Sequence, residues 1–155
     1  MILCETIKSK MEALRSEFPE RQALLLPLLH EIQEKEGWIS EGALRETSEF
    51  LDLPLAKVKE VVTFYTMYNR KPVGKYHIQV CTNIACFLRG SDQIVACFEK
   101  KLGISCGETT EDGKFTLSEV ECLAACGTAP VMQVNNDYHE NLDEKSCQAW
   151  MDGLT

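Results

Sequence analysis

Over the first sixty-six residues the apolar positions recur in steps of three and four, the spacing that gives a helix one apolar face. Ile7, Met11 and Leu14 carry that step among Lys and Glu and predict a helix over 3–16, ended or separated from the next by Phe18-Pro19. Leu25, Leu28, Leu29 and Ile32 predict a second over 20–36. Pro27 lies inside it and either kinks it or marks its true start. Gly37 is a stop signal. Ser40 offers a cap for a short helix through Phe50. Asp52-Leu53-Pro54 is a break, and Pro54 suits the first turn of a fourth helix that carries Val58, Val61, Val62 and Tyr65. His30 has no second His or Cys nearby in sequence and reads as a packed or surface side chain. Two of these helices share the outline of a helix-turn-helix, but packing is the favoured reading. Phe64, Tyr65 and Tyr68 form an aromatic cluster, read as a hinge packed between two halves; the sharper alternative is a partner-binding patch.

The period changes after Asn69-Arg-Lys-Pro-Val-Gly-Lys75, a polar stretch that marks a boundary. Tyr76-His-Ile-Gln-Val80 alternates with a period of two, as a strand does. Ser91 can cap a helix to Leu102 with Ile94, Val95, Phe98 and Leu102 on one face, and Gly103 stops it. Residues 107–113 form a polar turn region. Phe115–Val120 and Ala129–Val134 read as strands, and Asn135-Asn136-Asp137 as a tight hairpin turn before a returning strand at Tyr138 and His139. Asp143 can cap a last helix with Cys147, Trp150 and Met151. A helix between the first two strands is a crossover of the right length, so that pair is expected to be parallel and the final hairpin antiparallel. The fold class expected is α+β: a helical docking domain over residues 1–70, then a thioredoxin-like α/β domain over 71–155.

Composition narrows the function. The chain has 155 residues, 45% hydrophobic and 26% charged, a globular balance. No apolar run approaches the length of a membrane span. The N-terminus has no basic leader before a long apolar core, so a cytoplasmic location is expected. The formal charge of −8 disfavours broad contact with a phosphate backbone, so no nucleic-acid partner is expected.

The eight cysteines change the picture most. Without an export signal they point to metal or redox chemistry rather than to a disulfide frame. Cys81-Thr-Asn-Ile-Ala-Cys86 follows the first strand; after a further thirty-five residues, Cys122-Leu-Ala-Ala-Cys126 follows the second. Two loops at strand ends, each with two thiols, can close on one centre. The leading reading is a [2Fe–2S] cluster, which takes four thiolates, two per iron. Small residues, Ala85, Ala124, Ala125 and Gly127, let backbone amides approach the sulfurs. The oxidised cluster with its thiolates carries about −2, and an acidic chain opposes adding another electron, so a low potential is expected, near the roughly −400 mV of plant-type ferredoxins. A structural zinc site remains open, since zinc also takes closely spaced cysteine pairs. A disulfide oxidoreductase wants Cys-x-x-Cys, which is missing here. Cys97 and Cys147 fall in predicted helices and read as small buried hydrophobes; Cys4 and Cys106 have no partner at ligand spacing. No Gly-x-Gly-x-x-Gly and no P-loop occurs, so nicotinamide or flavin binding by this chain alone is not supported. A one-electron carrier with no substrate site needs partners on both sides.

These residues resemble a known family. Cys-x₄-Cys and Cys-x₃-Cys, with Gly-Lys-Tyr-His-Ile-Gln-Val80 before the first pair and Gly-Thr-Ala-Pro-Val-Met132 after the second, are similar to the family of the NADH dehydrogenase E subunits. That family supplies the thioredoxin-fold [2Fe–2S] subunit of the respiratory NADH:quinone oxidoreductase, complex I. His30 to Trp38 and Val61 to Tyr65 resemble its helical half. The resemblance implies that Cys81, Cys86, Cys122 and Cys126 ligate the cluster. It also implies a larger partner subunit carrying FMN and the NADH site, electron exchange with that flavin, and docking largely through the helical half. The subunit would belong to an oxidoreductase without being catalytic alone, and would lie peripheral to the inner membrane. Related subunits serve NAD-dependent hydrogenases and formate dehydrogenases, which stand as the alternative. A zinc-stabilised interaction module is the remaining one.

Overall fold

The computed structural model describes residues 2–18 and 20–154, so the expected break at Phe18-Pro19 lies partly outside the described residues. The chain divides into two compact units, Met1–Pro72 and Val73–Thr155.

The first unit is helical. Its elements are α1 (Glu5–Leu14), α2 (Leu25–Glu36), α3 (Glu41–Leu51) and α4 (Leu55–Phe64), with a 3₁₀ turn at Arg21–Leu24. Pro27 sits in the first turn of α2, where a missing N–H costs nothing, so it marks the helix start rather than a kink. Gly37 ends α2 in the left-handed region, φ 79°. Ser40 caps α3, its hydroxyl accepting from the Ala43 N–H at 3.1 Å. Pro54 stands one residue earlier than expected, at the cap of α4 rather than inside it. Ile7, Met11, Leu28, Leu29, Ile32, Leu51 and Val58 share one core. The Glu46 carboxylate holds the start of the chain by accepting from the Ile2 and Leu3 N–H groups at 2.7 and 2.9 Å.

Of the aromatic cluster only Tyr68 is buried, its hydroxyl donating to the Leu26 carbonyl at 3.0 Å. Phe64 is 75% exposed at the last turn of α4. His30 is exposed.

The second unit runs β1 (Tyr76–Cys81), α5 (Ile84–Leu88), α6 (Ser91–Leu102), β2 (Phe115–Val120), β3 (Met132–Val134), β4 (Asp137–His139) and α7 (Glu144–Asp152). The strand order is β2-β1-β3-β4. β1 and β2 are parallel and in register from Tyr76↔Phe115 to Cys81↔Val120; β3 is antiparallel to both β1 and β4. One core joins Ile78 and Val80 of β1, Leu117 of β2 and Met132 of β3 to Phe98 of α6 and Cys147 of α7. β3 is shorter than the expected 129–134, because Pro130 has no N–H to give a ladder. Asn135 makes the hairpin turn at φ 54° and ties it down, accepting from the His77 N–H through its side chain and donating to the Lys75 carbonyl. Asp143 and Ser146 form a capping box on α7.

Two expectations fail at the first cysteine loop. A one-turn helix, α5, stands inside it, capped by Asn83. Ser91 is not the cap of α6; Gly90 is, at φ 89°, and Ser91 becomes the first helical residue, fully buried. Among the described residues no helix is long and apolar enough to cross a membrane.

The start of β1 depends on a close backbone approach. Gly74 donates to the Thr116 hydroxyl at 2.6 Å, and a Cβ there would lie 2.8 Å from backbone atoms of Phe115. Gly74→Ala is therefore expected to cost roughly 1–3 kcal/mol, the usual range for overpacking. Thermal unfolding of the variant measures it; an unchanged Tm would mean that the strand end yields freely.

Candidate metal centre

Cys81 is the last residue of β1, and its N–H donates to the Val131 carbonyl at 3.1 Å. Cys86 sits in α5, held by the turn that Asn83 starts: the Asn83 side chain accepts from the Ile84 N–H at 2.7 Å, and its carbonyl accepts from the Phe87 N–H at 2.8 Å. Both cysteines are buried, 3% and 2% exposed. They pack with Ala129 and Val131, and Ala85, Val120, Leu123 and Ala125 close around them.

The second loop leaves β2 at Val120. Cys122 and Cys126 on it are exposed. Between them Ala124 adopts φ 58°, a left-handed conformation that a residue with a Cβ seldom takes. In that conformation the Ala124 N–H reaches back to the Cys122 sulfur at 3.2 Å. Tyr138 of β4 fixes the same loop by donating its hydroxyl to the Leu123 carbonyl at 3.0 Å. Cys126 opens a short 3₁₀ turn, Cys126–Thr128, which the Asn141 N–H secures through the Thr128 carbonyl at 2.7 Å. The Ala129–Pro130 peptide that follows is cis.

The two loops meet. Burial pushes the Cys86 thiol up; the adjacent Cys81 and the nearby Cys126 sulfur push it further, and the Val131 backbone N–H acts the other way. The expected set of Cys81, Cys86, Cys122 and Cys126 therefore follows the ends of two adjacent parallel strands, with Cys81 and Cys126 each within electrostatic reach of Cys86. Thiolates crowded in a buried site are costly unless a cation offsets them, because burial and like charge both disfavour the ionised form. That chemistry fits a positively charged iron core with soft sulfur ligands. Amides aimed at the Cys122 and Cys86 sulfurs fit it too, since such donors stabilise thiolate ligands. Among the described residues no three His, Cys, Asp or Glu side chains converge on the position of a single metal ion. A two-iron cluster does not require that, since its thiolates attach in pairs to separate irons.

The other cysteines differ. Cys147 is fully buried, and its thiol is pushed up to about 12 by burial and then by the neighbouring Cys97 sulfur. Cys106 is pushed up to about 11 by burial, then by Glu119 and Glu99. Cys97 is only half-buried, so it is less of a core residue than its helix position suggested.

Sequence reasoning missed the apolar rim beside Cys86. Ile84, Phe87 and Leu88 on α5 are 72%, 58% and 77% exposed. Asn83 before an apolar run was a usable signal for that short helix. Tyr138 as a loop clamp had no signal in the linear pattern.

The family described as thioredoxin-like [2Fe-2S] ferredoxin matches residues 11–155. The chain belongs to that family. Among relatives of this ferredoxin domain, the E subunit of the NADH-quinone oxidoreductase of Rickettsia felis is 50% identical over 133 residues, covering 85% of this chain and 80% of that protein. A protein of Rhizobium meliloti, named as E subunit 2 of the same kind of oxidoreductase, is 42% identical over 149 residues, 96% of this chain and 89% of that one. A crystal structure of an NAD+-reducing [NiFe]-hydrogenase in its air-oxidised state superposes with a TM-score of 0.73 over 87% of this chain at 22% identity. This chain spans about a quarter of that hydrogenase chain, 24%, and the likeness is one of fold.

The burial of these thiols sets an order of reactivity. In the cluster-free chain at pH about 8, iodoacetamide should label exposed Cys122 and Cys126 first, with Cys86 and Cys147 last, because alkylation needs an accessible thiolate. Peptide mass spectrometry over time reads the order. Early labelling of Cys86 would contradict the buried pocket.

Proposed function

We propose that Cys81, Cys86, Cys122 and Cys126 hold a [2Fe–2S] cluster and that the chain is the one-electron-transfer subunit of an NADH:quinone oxidoreductase. In this reading it exchanges electrons with FMN on a larger partner subunit that also binds NADH. It lies on the cytoplasmic side, peripheral to the inner membrane, and the helical unit supplies much of the docking surface. The observation that carries the reading is the meeting of two distant cysteine loops at the parallel ends of β1 and β2. Its support beyond the site is the match, along most of their length, to relatives named as E subunits of NADH-quinone oxidoreductase.

When bound, the cluster supplies a one-electron redox centre of low potential. The chain's own residues do the rest. Cys81 and Cys86 would hold the cluster from the buried side, where packing with Ala129 and Val131 keeps water from those sulfurs. Cys122 and Cys126 would hold it from the exposed side. The left-handed turn at Ala124 aims an amide at the Cys122 sulfur, and Tyr138 keeps that turn in place. The exposed rim of Ile84, Phe87 and Leu88 leaves apolar surface beside the buried pair.

Ligand substitutions test the assignment. Cys86→Ala and Cys122→Ala should each abolish the visible absorption of the anaerobically purified chain, while Cys97→Ala should retain it. The reverse pattern would overturn the ligand set. The dependence on a partner has its own test: the pure chain should show no NADH oxidation above background with an artificial electron acceptor, and appreciable turnover would contradict it.

A further inference from the structure

Two buried side-chain oxygens among the described residues lack any hydrogen-bond partner: Thr47 Oγ1 in the helical unit and Ser91 Oγ in the cysteine-bearing unit. A buried hydroxyl left unpaired costs about 1–3 kcal/mol, so it calls for a reason. Ser91 is completely buried, at the first position of α6. It does not serve as the helix cap, since Gly90 takes that place.

Its position gives the reason. The buried stripe of α6 is Ser91, Ile94, Val95 and Phe98, the face that packs on the sheet. Ser91 is the top rung of that stripe. α6 is the crossover between parallel β1 and β2, so it runs back against β1, and its first residue lies at the end where β1 finishes. β1 finishes at Cys81. The connection from Cys86 is short and tight: the Arg89 N–H donates to the Cys86 carbonyl at 3.1 Å, and the Gly90 N–H to the Phe87 carbonyl at 3.0 Å. The only polar atom among the side chains of that stripe is thus placed at the cysteine end of the sheet and not at the solvent.

We infer that the Ser91 hydroxyl is a positioning donor for the metal centre, supplying a hydrogen bond to a sulfur of the bound cluster. This rests on the reading of the site as a [2Fe–2S] centre. No cysteine sulfur satisfies the hydroxyl; a sulfur of the bound group would complete it. A hydroxyl beside cluster sulfur favours the state with more negative charge, so it raises the reduction potential. The α6 N-terminus acts in the same sense through its partial positive charge.

The test uses the full chain, anaerobically loaded with iron and sulfide, in a redox titration followed by electron paramagnetic resonance. Ser91→Ala should lower the ratio of reduced to oxidised centre at a fixed potential about tenfold, which is about 59 mV for one electron. Ser91→Thr keeps the hydroxyl and should keep the potential, even if its extra methyl lowers Tm. Ser91→Ala with an unchanged potential overturns the inference while leaving the cluster reading intact, as does a Ser91→Thr chain that shifts as far as Ser91→Ala. A wild-type chain that takes up no cluster overturns both. Tm is recorded beside each titration, because a hydroxyl that only fills space would move stability and not potential.

Discussion

The parallel pairing of β1 with β2 is the constraint on which the rest depends. Parallel strands end on the same side of a sheet, so whatever follows each strand emerges at one edge. Here a cysteine pair follows each, and pairs separated by thirty-five residues of sequence leave the same end of the sheet. The cost is a crossover, which α6 meets by burying Ile94, Val95 and Phe98 on the sheet. An antiparallel pairing of the same two strands would put the loops at opposite ends, and no local feature of either loop could compensate.

Burial then divides the site into two sides. In the first loop both cysteines are covered; in the second both are exposed, and the loop is shaped by one unusual backbone angle at Ala124. In the proposed cluster site the inner pair would be shielded from water and the outer pair would leave a route outward. An acidic chain with formal charge −8 gives little help to added negative charge. Donors close to the sulfurs matter more in such a setting, most of all at the buried pair, where the low dielectric makes each felt strongly. The Ala124 amide and the Val131 amide are two such donors, and Ser91 is placed to be a third.

Much of this was legible in the linear pattern. The period-two run Tyr76–Val80 gave β1 to within one residue, because Ile78 and Val80 share its buried face, and the strand read over Phe115–Val120 is β2 as found. Gly37, Gly103 and Asn135 marked turns because few residues accept the left-handed angle. The four cysteines stood out through their placement after strands. Other features depended on three-dimensional context. α5 is one turn of helix, too short for a periodic signal. Ser91 looked like a cap because serine often is one; Gly90 took the role instead, and only packing shows the consequence. Phe64 and Tyr68 belong to one aromatic run, yet one is exposed and one buried, which the spacing of aromatics cannot separate. The family likeness pointed to the ligand set, but the division into covered and open thiols came from the loop paths.

Chemical analysis of the anaerobically purified chain, by iron and acid-labile sulfide determination with Mössbauer spectroscopy, bears most directly on the central claim. The account predicts two irons and two sulfides per chain, with both irons in tetrahedral sulfur coordination. A colourless chain carrying one zinc, or an isolated iron without sulfide, would contradict it.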